Sequence, residues 1–147
     1  RKLAADYDLP GMKVLQFAFY DNPARSPYAP HNHTENSVVY TGTHDNNTVR
    51  GWYENELDSD SRKYLRRYTA SNVNKQNVHR QMIQMAMRSV CRLCIIPVQD
   101  LLGLGEKARM NQPASGRQNW SWRIRPGAFH KRIERRLRDL TRLYDRI

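Results

Sequence analysis

The sequence predicts an α/β chain built on a parallel sheet. Three short runs are apolar throughout rather than alternating, segments of helical period separate them, and a polar pair follows each run. Continuous apolar strands belong to parallel sheets covered by helices on both faces. The polar pairs Tyr20-Asp21, His44-Asp45 and Gln99-Asp100 sit where α/β barrels keep their chemistry, at the C-terminal ends of strands. A barrel needs eight strands and roughly 250 residues, so three strands in 147 residues predict a portion of one. Arg1 in place of an initiating Met agrees with that expectation.

Taken in order, Arg1 to Asp8 reads as a frayed helix end, closed by Leu9-Pro10-Gly11. Met12 to Phe19 (MKVLQFAF) is the first buried strand. Asp21 to Asn36, with Pro23, Pro27 and Pro30, is a loop, long enough to suggest a function. Ser37 to Thr43 (SVVYTGT) is the second strand and runs directly into His44-Asp45-Asn46-Asn47. Helices follow from about Thr48 to Leu57 and from Asp58 or Ser59 to about Tyr68. The segment Asn74 to Arg88 carries Val78, Met82, Met85 and Ala86 at helical spacing. Leu93 to Val98 (LCIIPV) is the third strand. A polar loop, Asn111 to Arg123, holds Trp120 and Trp122. A last helix from about Ala128 aligns Ile133, Leu137, Leu140, Tyr144 and Ile147 in one apolar stripe.

The formal charge is +11, from 25 Lys and Arg against 14 Asp and Glu, concentrated in Arg62 to Arg67 and Lys131 to Arg146. Such charge fits solvated helix faces, and it also fits a basic domain that binds RNA or another polyanion. No apolar run approaches the roughly 20 residues of a membrane span, and no signal-peptide pattern opens the chain, so no membrane partner is expected. Cys91 and Cys94 form a lone C-x-x-C without a second pair or histidines at ligand spacing. They read as small buried thiols of a cytoplasmic protein rather than half a zinc site or a redox pair, and neither metal nor cofactor is expected.

His44-Asp45 is the pair with chemical promise, because charge directly ends a buried strand. A carboxylate there can bind a metal, move a proton or stabilise developing positive charge. It can equally cap the following helix, a task open to Asn46 or Asn47 as well. The loops also offer aromatic faces and planar amides suited to sugar rings and hydroxyls: Tyr20, Tyr28, His31, Asn32, Asn119, Trp120 and Trp122. Core burial is the alternative for each aromatic.

The segment Tyr40-Thr41-Gly42-Thr43-His44-Asp45-Asn46 resembles a segment of the 4-alpha-glucanotransferases of glycoside hydrolase family 77. The likeness extends over Leu9 to Phe19, Pro30-His31-Asn32-His33, Ile96 to Gly105, Ala108-Arg109-Met110-Asn111 and Asn119-Trp120-Ser121-Trp122-Arg123. It implies a (β/α)8 barrel that transfers segments of α-1,4-glucan between chains with retention. By this resemblance residues 1–147 are the C-terminal portion of a single catalytic barrel, holding strands six to eight, and the N-terminal part is absent. Asp45 matches the carboxylate that stabilises the transition state, and His44 the histidine that binds the same sugar. Phe19 and Asn119 resemble substrate-contacting positions. The partners implied are α-1,4-glucans (maltooligosaccharides, amylose) and not nucleic acid. The nucleophile and acid/base of this family follow strands four and five, upstream of Arg1, and Glu54, Glu56 and Glu106 are no substitutes. Pro113-Ala114-Ser115-Gly116-Arg117-Gln118 departs from the Gly that many members carry after that Pro.

Overall fold

The computed structural model describes residues 3, 6–116 and 119–146. Three parallel strands, β1 (Gly11–Val14), β2 (Ser37–Tyr40) and β3 (Leu93–Ile95), lie in the order β1-β2-β3. Met12 pairs with Val38 and Val38 with Leu93; Val14 pairs with Tyr40 and Tyr40 with Ile95. The helices are α1 (Val49–Asn55), α2 (Ser59–Thr69), α3 (Val78–Met87), α4 (Val98–Leu101) and α5 (Lys131–Leu143). Leu3 and Asp6 of the expected N-terminal helix end are helical. Arg1, Lys2, Ala4 and Ala5 of that helix, Arg117 and Gln118 of the divergent loop, and Ile147 of the apolar stripe lie outside the described residues.

All three strands are shorter than their apolar runs. After Val14 the backbone winds into a 3-10 turn, Leu15–Ala18, which buries Leu15, Gln16 and Ala18 together. A continued strand would have sent Gln16 to the face opposite Leu15. Instead the Gln16 Nε2 donates to the Asn47 carbonyl at 2.8 Å, beneath Gly42, where a Cβ would stand 2.5 Å from that nitrogen. β3 stops before Pro97, which has no N–H for a ladder and instead opens α4, a helix the sequence pattern did not predict.

Among the described residues, one face of the sheet is covered by helices and the other is open. Val39 is fully buried against Trp52, Leu65, Met82 and Met85 of the helical layer. The opposite face carries Met12, Leu93 and Ile95, which are 55%, 55% and 47% exposed. The described residues supply a single helical layer.

Helix ends follow local chemistry. Asp58 caps α2 by accepting the Ser61 N–H at 2.7 Å, and Arg66 and Arg67 occupy its last turn. The Pro-rich segment holds two 3-10 turns, Pro23–Arg25 and Pro30–Asn32. His33 pins it, with Nδ1 2.7 Å from the Ser89 hydroxyl and Nε2 2.9 Å from the Tyr28 carbonyl; burial lowers its pKa. On α3, Val78, Met82, Met85 and Ala86 are all buried, as their spacing predicts. Leu140 of α5 packs with Ile83 and Met87 of α3. Cys91 is buried, Cys94 half-buried, and both are free, with burial pushing the Cys94 thiol up to about 11. No helix among the described residues is long and apolar enough to cross a membrane.

Arg146 fastens the C-terminal end of α5 to α3. Its guanidinium donates to the carbonyls of Met87 at 2.9 Å, Cys91 at 2.5 Å, and Ser89. These are acceptors that the end of a helix and the turn beyond it leave unpaired. Arg146→Met is expected to lower unfolding free energy by about 1–3 kcal/mol through orphaned carbonyls. A urea titration with an unchanged slope and a lower midpoint is the measurement, and an unmoved midpoint refutes the role.

Candidate active site

The C-terminal ends of the three strands share one rim, because the strands are parallel. At the end of β2 the chain makes a tight turn. The Asn46 carboxamide oxygen accepts from the Thr43 N–H at 2.9 Å and the Thr43 hydroxyl at 2.8 Å. The Asp45 N–H reaches back to the Thr43 hydroxyl at 3.3 Å. This turn presents His44 and Asp45 outward, with side chains 56% and 49% exposed.

The capping alternative for Asp45 does not hold. Thr48 caps α1, its hydroxyl accepting the Gly51 N–H at 3.1 Å. Asn47 is buried; its amide donates to Glu56 at 2.9 Å and to Glu106 at 3.1 Å.

Residues far along the chain hold Asp45. The Asn111 amide donates to Asp45 Oδ1 at 2.5 Å, and the Asn111 N–H donates to the His44 carbonyl at 3.1 Å. Arg109 donates to the backbone carbonyl of Asp45 at 2.7 Å, not to its carboxylate, and its other arm lies 3.7 Å from Glu56. His44 Nε2 stands 3.3 Å from Asp45 Oδ1. Among the described residues, Oδ2 has no protein partner. Asp45 is thus fixed at its backbone by a cation while its carboxylate faces solvent.

Trp120 stacks obliquely on His44, with ring centroids 5.0 Å apart. Its φ of +63° lies in the left-handed region, unusual for a bulky residue. The backbone is held there by the Trp120 N–H on the Met110 carbonyl at 2.8 Å and by Arg123 on the Trp120 carbonyl at 2.8 Å. Strain of this kind clusters at ligand clamps.

The other two nominated residues fall elsewhere. Asn119 is half-buried and its amide spans the backbone of Gln112, accepting at 2.9 Å and donating at 3.2 Å, which closes the loop leading to Trp120. Phe19 is fully buried and edge-on to Tyr68. Two aromatics after β1 keep an open face: Phe17, 42% exposed and edge-on to Tyr28, and Tyr20, 45% exposed and edge-on to Trp52.

Beneath the turn lies a cavity of about 160 Å³ lined by Thr43, His44, Asn46, Gln99, Asp100 and Arg109 among others. Asp100 is 1% exposed. Its carboxylate accepts from the Thr41 hydroxyl at 2.6 Å and the Val49 N–H at 2.8 Å, so it ties the two ends of the His44-Asp45 turn together. Of the polar pairs that follow the strands, this one is a brace and not a rim group. Asn111, Arg109 and Asp100 lie 55 to 66 residues from Asp45 in sequence, and spacing alone marks none of them. Arg109 and Asn111 carry a sequence signal only through the matched blocks, whereas Asp100 also belongs to a polar pair that follows an apolar run.

The class of protein here is α/β, a parallel sheet with a braced, outward carboxylate at its C-terminal rim, a candidate strand-end site. Residues 1–129 match the 4-alpha-glucanotransferase family, and the chain belongs to that family. It is 45% identical over 152 residues to the chloroplastic/amyloplastic 4-alpha-glucanotransferase of Solanum tuberosum, covering 99% of this chain and 25% of the relative. It is 49% identical over 139 residues to a 4-alpha-glucanotransferase of Streptococcus pneumoniae, covering 94% of this chain and 27% of that protein. The solved amylomaltase of Streptococcus agalactiae in complex with acarbose superposes with a TM-score of 0.91 at 33% identity, covering 98% of this chain and 29% of that one. The chain therefore spans about a quarter of the length of these relatives.

Two buried groups should give opposite pH signatures. Burial pushes the Asp100 carboxyl up to about 6, against the hydrogen bonds from Thr41 and Val49. Burial, then Arg80, Arg136 and Arg50, push the His79 imidazole down to about 4. Between their folded and unfolded values the folded state keeps a proton on Asp100 that the unfolded chain releases, so this group stabilises more as pH falls. His79 does the reverse, since only the unfolded chain protonates there. Relative to the parent, between about pH 6 and 4.5, the thermal midpoint of His79→Gln should rise and that of Asp100→Asn should fall. Parallel slopes in the two variants would exclude these assignments.

Proposed function

We propose that this chain is the C-terminal portion of the single catalytic barrel of a 4-alpha-glucanotransferase, with β1, β2 and β3 as strands six, seven and eight. The whole enzyme transfers segments of α-1,4-glucan to an acceptor glucan or glucose with retention of configuration. The observation that carries the reading is the Asp45 carboxylate: half-exposed, at the strand-end rim, relieved of helix capping and not neutralised by a guanidinium.

A retaining transfer passes through an oxocarbenium-like state flanked by a nucleophile and an acid/base, which the rest of the barrel supplies. Asp45 adds a fixed negative charge beside the developing cation, positioned in advance by Asn111 and Arg109, where such charge acts most strongly. His44 binds a hydroxyl of the same sugar, and Trp120 and Phe17 offer flat apolar faces to neighbouring pyranose rings. Asn119 acts by shaping the loop that delivers Trp120. The open sheet face and the edges of β1 and β3 take the remaining strands of the barrel. Maltooligosaccharides and amylose are the substrates, in keeping with the names of the relatives and the acarbose bound to the streptococcal amylomaltase. No cofactor or metal takes part. The free thiols Cys91 and Cys94 suit a reducing compartment, the cytoplasm or, as in the name of the potato relative, a plastid.

The polyanion-binding alternative draws on charge alone. Asp45→Asn in the full-length protein should lower kcat for maltotriose disproportionation by several orders of magnitude, with much smaller change in KM, since the lost interaction belongs to the transition state. Near-normal kcat would remove the assignment. The 147-residue chain alone should show no glucose release from maltotriose; turnover by it would place the nucleophile and acid/base within these residues.

A further inference from the structure

The hollow between α3 and α5 carries a charge that the described residues do not answer. It encloses about 150 Å³, with Arg80 and His79 on one wall, Arg132 and Arg136 on the other, and an apolar floor that includes Ile83 and Leu140. No Asp or Glu lines it, and among the described residues none of the three guanidinium groups has an ion pair or hydrogen bond. Neighbouring arginines differ. Arg138 pairs with Glu134 at 2.7 Å, and Arg146 is spent on backbone carbonyls.

The arrangement opposes folding unless something offsets it. Arg132 and Arg136 stand one helical turn apart, where like charges repel, and Arg80 approaches from the facing helix. Arg136 is half-buried, and its pKa is lowered by burial and then by Arg80 and Arg132. His79 is 9% exposed, and its Nδ1 has no partner among the described residues. Low-dielectric walls around one sign of charge concentrate the field on whatever enters.

The size and donor set name the ligand class. Guanidinium forks match the oxygens of a tetrahedral oxyanion, each with paired donors. The hollow accommodates one such group, and no Phe, Tyr or Trp lines it to offer the broad stacking face that nucleic-acid bases favour. We propose that it is a binding site for a phosphate group, either free phosphate or the phosphate of a sugar phosphate. It is separate from the rim: Leu101 and Leu102 border it, whereas Gln99 and Asp100 border the cavity under Asp45.

The test is calorimetric titration of the full-length protein carrying this segment with inorganic phosphate and, separately, with glucose 1-phosphate, at ionic strength held constant by NaCl. Saturable binding to one site is expected, weakened about tenfold in Arg136→Gln and abolished in Arg132→Gln/Arg136→Gln. Arg80→Gln, on the opposite wall and exposed, should weaken it comparably and guards against misfolding of the α5 variants. Transfer activity on maltotriose should be unchanged in all three. Tighter binding of glucose 1-phosphate assigns a sugar phosphate, and equal or weaker binding assigns free phosphate. Absence of binding by both, or equal binding by parent and double variant, overturns the site. So does weak phosphate binding alongside tight, steeply salt-dependent binding of an RNA oligonucleotide, the behaviour of a generic basic face.

Discussion

The carboxylate of Asp100 holds the rim in place. It is buried, and it receives one hydrogen bond from Thr41, just past the end of β2, and another from the first turn of α1. Between those two anchors runs the whole segment that carries His44 and Asp45. A charged group in that position is costly, which is why burial raises its pKa in spite of both donors. Hydrogen bonds to a charged acceptor are each worth about 1.5–3 kcal/mol, and losing the acceptor would leave the Thr41 hydroxyl and the Val49 N–H unpaired. The brace therefore joins both ends of the turn from within the core, beneath the contacts that the turn makes at the surface.

With the turn fixed from below, the residues on top can be spared for chemistry. Thr48 takes the capping task and Asn47 goes inward to two glutamates, so Asp45 owes nothing to the helix that follows. Arg109 steadies its backbone without neutralising its charge, and a neutral amide from Asn111 orients the carboxylate. A direct ion pair with Arg109 would have held Asp45 as well, at the expense of the negative potential that a cationic sugar would meet. The distinction between fixing a backbone and quenching a side chain is what makes the site chemically plausible for oxocarbenium stabilisation.

The sheet explains why the chain looks incomplete on physical grounds. One layer of helices buries Val39, Trp52 and Leu65, and the other face of the same strands leaves Met12, Leu93 and Ile95 open. Parallel strands are stable when both faces are covered. Alignment with only about a quarter of each relative agrees with a covering layer drawn from the rest of a barrel.

The sequence by itself determined the class and the ordering of elements. Apolar runs located all three strands, helical spacing located α3 and the stripe of α5, and the ordered blocks around Thr43-His44-Asp45 fixed the family. Those signals are local, carried by periodicity of 2 or 3.6 and by turn chemistry. Tertiary structure alone decided where the strands stop, that Phe19 lies in the core while Phe17 lies outside, and that Asn119 shapes a loop. It also decided that Asp45 is held by Arg109 and Asn111, and that the arginines of α3 and α5 enclose one hollow. Each of these depends on which residues, dozens of positions apart, come within hydrogen-bond or contact distance. Periodicity shows which way a side chain leans within its own element, but only the packed chain shows what it meets there.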